Sequence, residues 1–257
     1  MPHMPRLRVV PLERIRRHEE VDPLRVDLLS SRIETEGIQV NPMVCIESAG
    51  EELVLLDGAT RTEALKGLGL DHAVVQLVEE HTVSLGTWHH VVRAAPIDDF
   101  IAAVSEPSEM ELATAEWPPT IHISDGRTFH ARGIGISPNA TLAHLVRTYI
   151  GHWRVNRSAE PDEGLVSRDY PDWTALIEFP TLSVEEVMRA ALGHDLIPAG
   201  VTRFLVPERA LRLNVPLSLL DDGDLDQKQH TLDDLIAERA RNGRIRRYSE
   251  PVVILDD

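Results

Sequence analysis

One cysteine, Cys45, is all the sulfhydryl chemistry this chain of 257 residues contains. That excludes an intrachain disulfide and a cysteine-based zinc site. Cys45 lies in the apolar run Met43-Val44-Cys45-Ile46, where it reads as a buried structural thiol. Lysine is almost as scarce, with Lys66 and Lys228 the only two among 26 basic residues. Neither closes a Gly-x-x-x-x-Gly-Lys pattern, so a Walker-type phosphate loop is excluded. No apolar run approaches the ~18 residues that a membrane span needs. The segment Met1 to Val10 lacks the apolar core of a signal peptide. No membrane partner and a cytoplasmic location are therefore expected. An excess of positive charge is missing too: the net charge is −16, of which residues 1–93 carry −5 and the remainder −11. Neither part has the footprint of a duplex-DNA binder, whose affinity comes from neutralising phosphates.

What is present is an ordinary globular composition, 42% hydrophobic, in a chain long enough for one large or two modest domains. The first stretch predicts a compact α/β unit. Strands are expected at Leu7 to Leu12, Met43 to Ile46, Leu53 to Leu56 and Ala73 to Val78. Helices are expected from Pro23 to Glu36, with Leu24, Leu28 and Ile33 at helical spacing, and from Arg61 to Leu68. Gly37 and Gly69 stop them, and Ser48 to Glu51 reads as a hairpin turn. A second unit is expected after the Ala94-Ala95-Pro96 hinge. Its helices are Ile97 to Val104, Leu142 to Trp153 and Val184 to Leu192, the last with a Ser183/Glu186 capping box and Gly193 at its end. Its strands are Ile121 to Ile123, Ala131 to Ile136, Ala175 to Phe179 and Gly200 to Val206. From Asp221 a tail remains, with a helix over Thr231 to Arg241 and a strand over Pro251 to Leu255. The expected domains are thus 1–93, 94–220 and 221–257, in an overall α/β (α+β) class.

The most informative stretch runs from Leu53 through Asp57-Gly58-Ala59-Thr60-Arg61 to Leu65. A buried strand feeds a glycine turn and then a helix N-terminus, which turns several backbone N–H groups toward one point and favours an anion there. Arg61 at the helix start can grip phosphate oxygens. Asp57 at the strand end can hold a Mg²⁺ on those phosphates or act on a nearby hydroxyl. Asp57 as a plain helix cap at a strand–turn–helix junction is the competing reading.

Asp57-Gly58-x-x-Arg61 followed by Glu63-Ala64-Leu65-Lys66-Gly67-Leu68-Gly69 resembles the nucleotide-binding signature of the ParB/sulfiredoxin-like superfamily. Within it the sequence is most similar to the free L-serine kinase branch. The resemblance takes in His18-Glu19, Pro42-Met43, Thr87-Trp88, the helix from Ser183 to Met188, and Thr202-Arg203 leading to Pro207. It implies a ParB/sulfiredoxin-like N-terminal domain followed by a smaller α/β domain. It also implies phosphoryl transfer from ATP or ADP, with Mg²⁺, to the hydroxyl of free L-serine. The product, O-phospho-L-serine, would serve cysteine or 2,3-diaminopropionate synthesis. By that resemblance Glu19 is the general base, with Glu20 its rival, and Asp57 is the metal-linked acid. Gly58, Ala59, Thr60 and Arg61 cradle the nucleotide. The substrate-binding set is His18 of the early acidic site, Trp88, which closes over serine, and Thr202 and Arg203, which hold its carboxylate. The chain departs from the family pattern at Ala59-Thr60 and at Phe204, where histidines are common, and at Asn41, where a basic residue is common.

Two competing functions are a kinase of another small hydroxylated metabolite and a non-enzymatic ParB-like regulator. The regulator would require a helix-turn-helix and a basic face after the nucleotide domain. The adjacent His89 and His90 point in different directions on any regular element, so they do not form a metal pair. Arg244-Ile245-Arg246-Arg247 is flanked by acidic segments and reads as a solvated face or a subunit contact. The tail docks on its own protomer or swaps across a homodimer.

Overall fold

The computed structural model describes residues 4–48, 51–113 and 118–248. A five-stranded mixed sheet opens the chain, in the spatial order Arg6–Pro11, His72–Leu77, Met43–Glu47, Leu53–Asp57, Ile15–Arg17. Its inner strands read as unbroken apolar runs because both faces are covered. Met43, Cys45, Leu53 and Leu55 point to one core, together with Leu65, Val75 and Ile33. Val44, Ile46, Val54 and Leu56 point to the other, together with Phe100, Tyr149, Ile177 and Val187. The period of two along a strand thus joins the two halves of the molecule through a single sheet. Cys45 is fully buried between the strands, as expected.

The second sheet has six strands, all antiparallel, ordered Arg154–Ser158, His89–Arg93, Trp173–Glu178, Thr120–Ile123, Thr128–Gly133, Met110–Ala113. The boundary expected at residue 93 is therefore too late, since His89–Arg93 is already a central strand of this sheet. Two buried histidines concealed its apolar character. The boundary expected at 220 also shifts: Leu213, Val215 and Leu220 join the first core, and Val215–Pro216 pairs with Ile38–Gln39. The final helix, Leu225–Arg241, packs on Arg6–Pro11 and buries Leu232 there. The described part of the tail thus docks on the first unit through this helix.

Several local signals hold as read. Asp22 caps the helix Pro23–Glu36, and Gly37 ends it with φ 66°. The Ser183/Glu186 capping box forms. Others move. Leu24 and Leu28 are 73% and 74% exposed, so the helix buries Ile33 without them. Gly193 is the last helical residue and His194 takes the left-handed cap at φ 61°. The helix expected over Leu142 to Trp153 is Pro138–Tyr149, started by the Ser137 cap and Pro138. The strand expected over Ala131 to Ile136 is Thr128–Gly133, and the final helix starts at Leu225 after the Asp224 cap. The strand expected over Pro251 to Leu255 and the centre of the Ser48 to Glu51 turn lie outside the described residues.

Candidate active site

Leu53–Asp57 ends at Gly58, and the helix Ala59–Gly67 begins at once. Gly58 stands at φ 111°, a conformation open to glycine. A Cβ there would lie 2.7 Å from Met43 Cγ and 3.0 Å from Arg61 Nη1, so the turn also needs the missing side chain. The first helical hydrogen bond runs from Thr62 N–H to Gly58 O at 2.8 Å. Gly58 supplies no side-chain cap, which leaves the N–H groups of Ala59, Thr60 and Arg61 without intrahelical acceptors. These residues border a cavity of about 570 Å³.

The lining of that cavity also includes Glu19 and Glu20, clamped by the segment before Thr202–Leu205. Glu20 N–H donates to Ile197 O at 2.8 Å, and Ile197 N–H to His18 O at 2.9 Å. The Glu19 carboxylate accepts from Gly200 N–H at 3.0 Å and lies 3.4 Å from Thr202 Oγ1. Gly200 is itself held from behind. His90 meets its carbonyl through Nε2 at 3.1 Å and the Tyr149 hydroxyl through Nδ1 at 2.8 Å. With Nε2–H donating to the carbonyl, Nδ1 accepts from the tyrosine, which is the arrangement of a neutral ring. Burial pulls the His90 pKa down to about 4, partly offset by the Gly200 carbonyl. His90 thus spends both ring nitrogens on positioning the backbone that holds Glu19.

The structure separates the residues expected at the site into three groups. Glu19, Glu20, Asp57, Gly58, Ala59, Thr60 and Arg61 converge on the cavity. Glu20 pairs with Arg147 at 2.5 Å, whereas the hydrogen bonds to Glu19 come from a backbone N–H and a hydroxyl. His18 does not face the cavity with a free nitrogen. It is 1% exposed, with Nδ1 2.6 Å from Leu55 O and Nε2 2.8 Å from Thr202 Oγ1. Burial lowers its pKa, against the opposing pull of Glu19. Phe204 packs edge-on against it, 5.7 Å between centroids. Trp88 and Arg203 stack on each other, with the guanidinium 4.8 Å from the ring centroid, and neither borders the cavity. Side chains alternate along a strand, so Thr202 and Arg203 present their side chains to different neighbours. Thr202 faces Glu19 and Arg203 faces Trp88.

Four arginines border the cavity, and three of them, Arg25, Arg32 and Arg157, went unread in the sequence. Arg25 and Arg32 are seven residues apart on Pro23–Glu36, so they share one face. The Arg157 guanidinium packs on Gly200, where a Cβ would come within 2.0 Å of Nη2. Burial and then the like charge of Arg25 lower its pKa, while Glu19 raises it. Arg61 reaches back to the Pro42 carbonyl at 3.1 Å, and burial lowers its pKa against the pull of Asp57. Positive charge gathered beside helix N–H groups without acceptors is chemically suited to a polyanion. Asp57 pairs with Arg209 at 3.2 Å. Among the described residues no three His, Cys, Asp or Glu side chains are grouped for a metal ion. The donor set therefore fits Mg²⁺ only as an ion held by one carboxylate and by ligand phosphates, the usual mode for this metal.

No protein-family model matches the chain. The chain is 27% identical over 255 residues to the ATP-dependent L-serine kinase SbnI of Staphylococcus aureus, covering 97% of each. A solved structure of S. aureus SbnI with a C-terminal truncation superposes with a TM-score of 0.75 at 25% identity, over 91% of this chain and 97% of that one. A free serine kinase in complex with AMP matches in fold, with a TM-score of 0.75 at 14% identity over 85% and 95% of the two chains. These likenesses bear out the mixed α/β class and the resemblance to free serine kinases drawn from the sequence.

Proposed function

We propose that this protein is a free L-serine kinase that transfers a phosphoryl group from a nucleotide to the serine hydroxyl, giving O-phospho-L-serine. The observation that carries the reading is one cavity lined both by a helix N-terminus without a side-chain cap and by Glu19. The near full-length likeness to an ATP-dependent L-serine kinase supports both the acceptor and ATP as donor. That likeness favours serine over other hydroxylated acceptors. The second unit, an antiparallel sheet with helices, speaks against a DNA-binding regulator.

In this reading the terminal phosphates lie on the N–H groups of Ala59, Thr60 and Arg61, flanked by Arg25, Arg32, Arg61 and Arg157. Mg²⁺, held by Asp57 and the phosphates, would supply further charge neutralisation. Glu19 takes the hydroxyl proton as the serine oxygen–phosphorus bond forms and the bond to the departing nucleotide breaks. Serine's hydroxyl is far too weak an acid to lose its proton beforehand, so the carboxylate acts as transfer proceeds. Most of the acceleration comes from positioning and from fixed positive charge. Gly200 N–H keeps one Glu19 oxygen occupied, which orients the other. O-phosphoserine made in the cytoplasm would feed a replacement reaction at its β-carbon, giving cysteine or 2,3-diaminopropionate.

The test is direct. The purified protein is incubated with Mg²⁺, ATP or ADP and a panel of hydroxy compounds, and products are followed by phosphorus NMR. Formation of phosphoserine from serine is the expected result. Consumption of another alcohol with serine untouched would replace the acceptor, and no transfer to any alcohol would remove the kinase reading.

A further inference from the structure

A second concavity, of about 760 Å³, lies between the segment 208–214, the start of the chain and the end of the last helix. Six arginines border it: Arg209, Arg212, Arg239, Arg244, Arg246 and Arg247. That is a quarter of the chain's arginine in one place, on a protein of net charge −16. Three of them are engaged. Arg239 donates to the carbonyls of Leu213 and Asn214, Arg247 pairs with Glu208 at 3.3 Å, and Arg209 pairs with Asp57 at 3.2 Å. Among the described residues no carboxylate pairs with Arg212, Arg244 or Arg246. Leu7, Leu213 and Ile236 give the concavity apolar wall. A concave site of this size with an apolar wall and convergent charge suits a small molecule with an apolar body and acid groups.

The same segment reaches one residue of the first cavity's lining, Asp57. Glu208, Arg212 and Asn214 hold φ of 51°, 53° and 45°, left-handed conformations that non-glycine residues seldom adopt. Side chains from the first unit pin them. Gln76 accepts from Ala210 N–H at 2.8 Å and Asn41 from Arg212 N–H at 2.7 Å. From this held segment Arg209 reaches the Asp57 carboxylate at the phosphate loop. Whatever competes for Arg209 changes the charge that Asp57 presents.

We propose that this concavity binds a small organic dianion or trianion, carboxylate or phosphate in its acid groups, and that occupancy acts on the Asp57 loop through Arg209. A bound anion draws Arg209 toward itself and frees Asp57 for a magnesium–nucleotide. The binding site stands independently of the kinase reading, whereas the link to nucleotide rests on it.

Calorimetry on the full chain with the dianion of biphenyl dicarboxylic acid, and with its neutral diamide, tests the site. The dianion should bind saturably, one per chain. Its affinity should fall at least tenfold in the double variant Arg244→Glu/Arg246→Glu, whose side chains hold no hydrogen bond or ion pair among the described residues, and the diamide should not bind. Equal affinity in native and variant protein, or equal binding of dianion and diamide, overturns the site. So does binding of short duplex DNA to these arginines where the dianion fails. For the link, Mg·ADP affinity should rise several-fold when the dianion is saturating, and that rise should vanish in Arg209→Ala. An unchanged ADP affinity in the native protein overturns the link. Failure of ADP to bind at all tells against the kinase reading and leaves the dianion isotherm standing.

Discussion

Gly200 N–H donates to the Glu19 carboxylate at 3.0 Å across the junction of the two sheets. The proposed base sits on the first unit, yet the second unit orients it. Behind Gly200 stand His90 and Tyr149, both buried, so the orientation is set from inside the second core.

Replacing Glu19 with Gln keeps the side-chain shape and the hydrogen bond from Gly200 while removing the proton acceptor. We expect turnover to fall by about 10²–10⁴-fold, with nucleotide affinity nearly unchanged. Glu20→Gln should lose far less, since that carboxylate is engaged with Arg147. Steady-state rates together with calorimetric ADP binding decide the matter, and the reverse order of losses would hand the role to Glu20.

Arg61 and Arg157 both border the cavity in which we propose the phosphates lie. Each alanine variant should weaken ADP binding by about 1.5–3 kcal/mol, the range for a charge-assisted hydrogen bond, or roughly tenfold to a hundredfold. Calorimetry reads this directly. An unchanged affinity in both variants would take the phosphates away from this loop.

Gly200→Ala should be costly in two ways. The residue stands at φ 79°, and the new methyl would overlap the Arg157 guanidinium. A stability loss of about 1–3 kcal/mol is expected from the backbone, and turnover should drop further because the Glu19 clamp moves. Urea unfolding and kinetics on the same preparation separate the two effects.

His90 makes stability depend on pH. In the fold its pKa is lowered to about 4, chiefly by burial, while the unfolded ring takes a proton near ~6.5. Between those values the unfolded state binds more protons than the folded one. Stability therefore falls as pH drops through about 6.5 and levels off near 4, by up to ~3 kcal/mol in all. His18, also lowered by burial, acts in the same direction. Urea unfolding at about pH 7.5 and about pH 5 should show the loss, and His90→Gln should reduce that difference.

Much of the first unit was legible because its signals are local. Asp22 and Gly37 bracket a helix, and Gly58 breaks a strand into one. The residues that escaped are those whose meaning depends on contacts distant in sequence. Arg157 lies on a half-polar strand with no apolar alternation to announce it, and it matters only because Gly200 folds against it. His89–Arg93 hides a central strand behind two histidines whose burial is made tolerable by Tyr149, Phe179 and Gly200. Trp88 and Arg203, expected at the substrate, stack on each other outside the cavity lining, a contact distant in sequence.

A crystal structure of the protein with magnesium, a non-hydrolysable ATP analogue and L-serine tests the central claim most directly. The account predicts phosphates on the N–H groups of Ala59 to Arg61 and the serine hydroxyl within hydrogen-bond reach of Glu19. Phosphates seated among Arg212, Arg244 and Arg246, or a serine hydroxyl remote from Glu19, would contradict it.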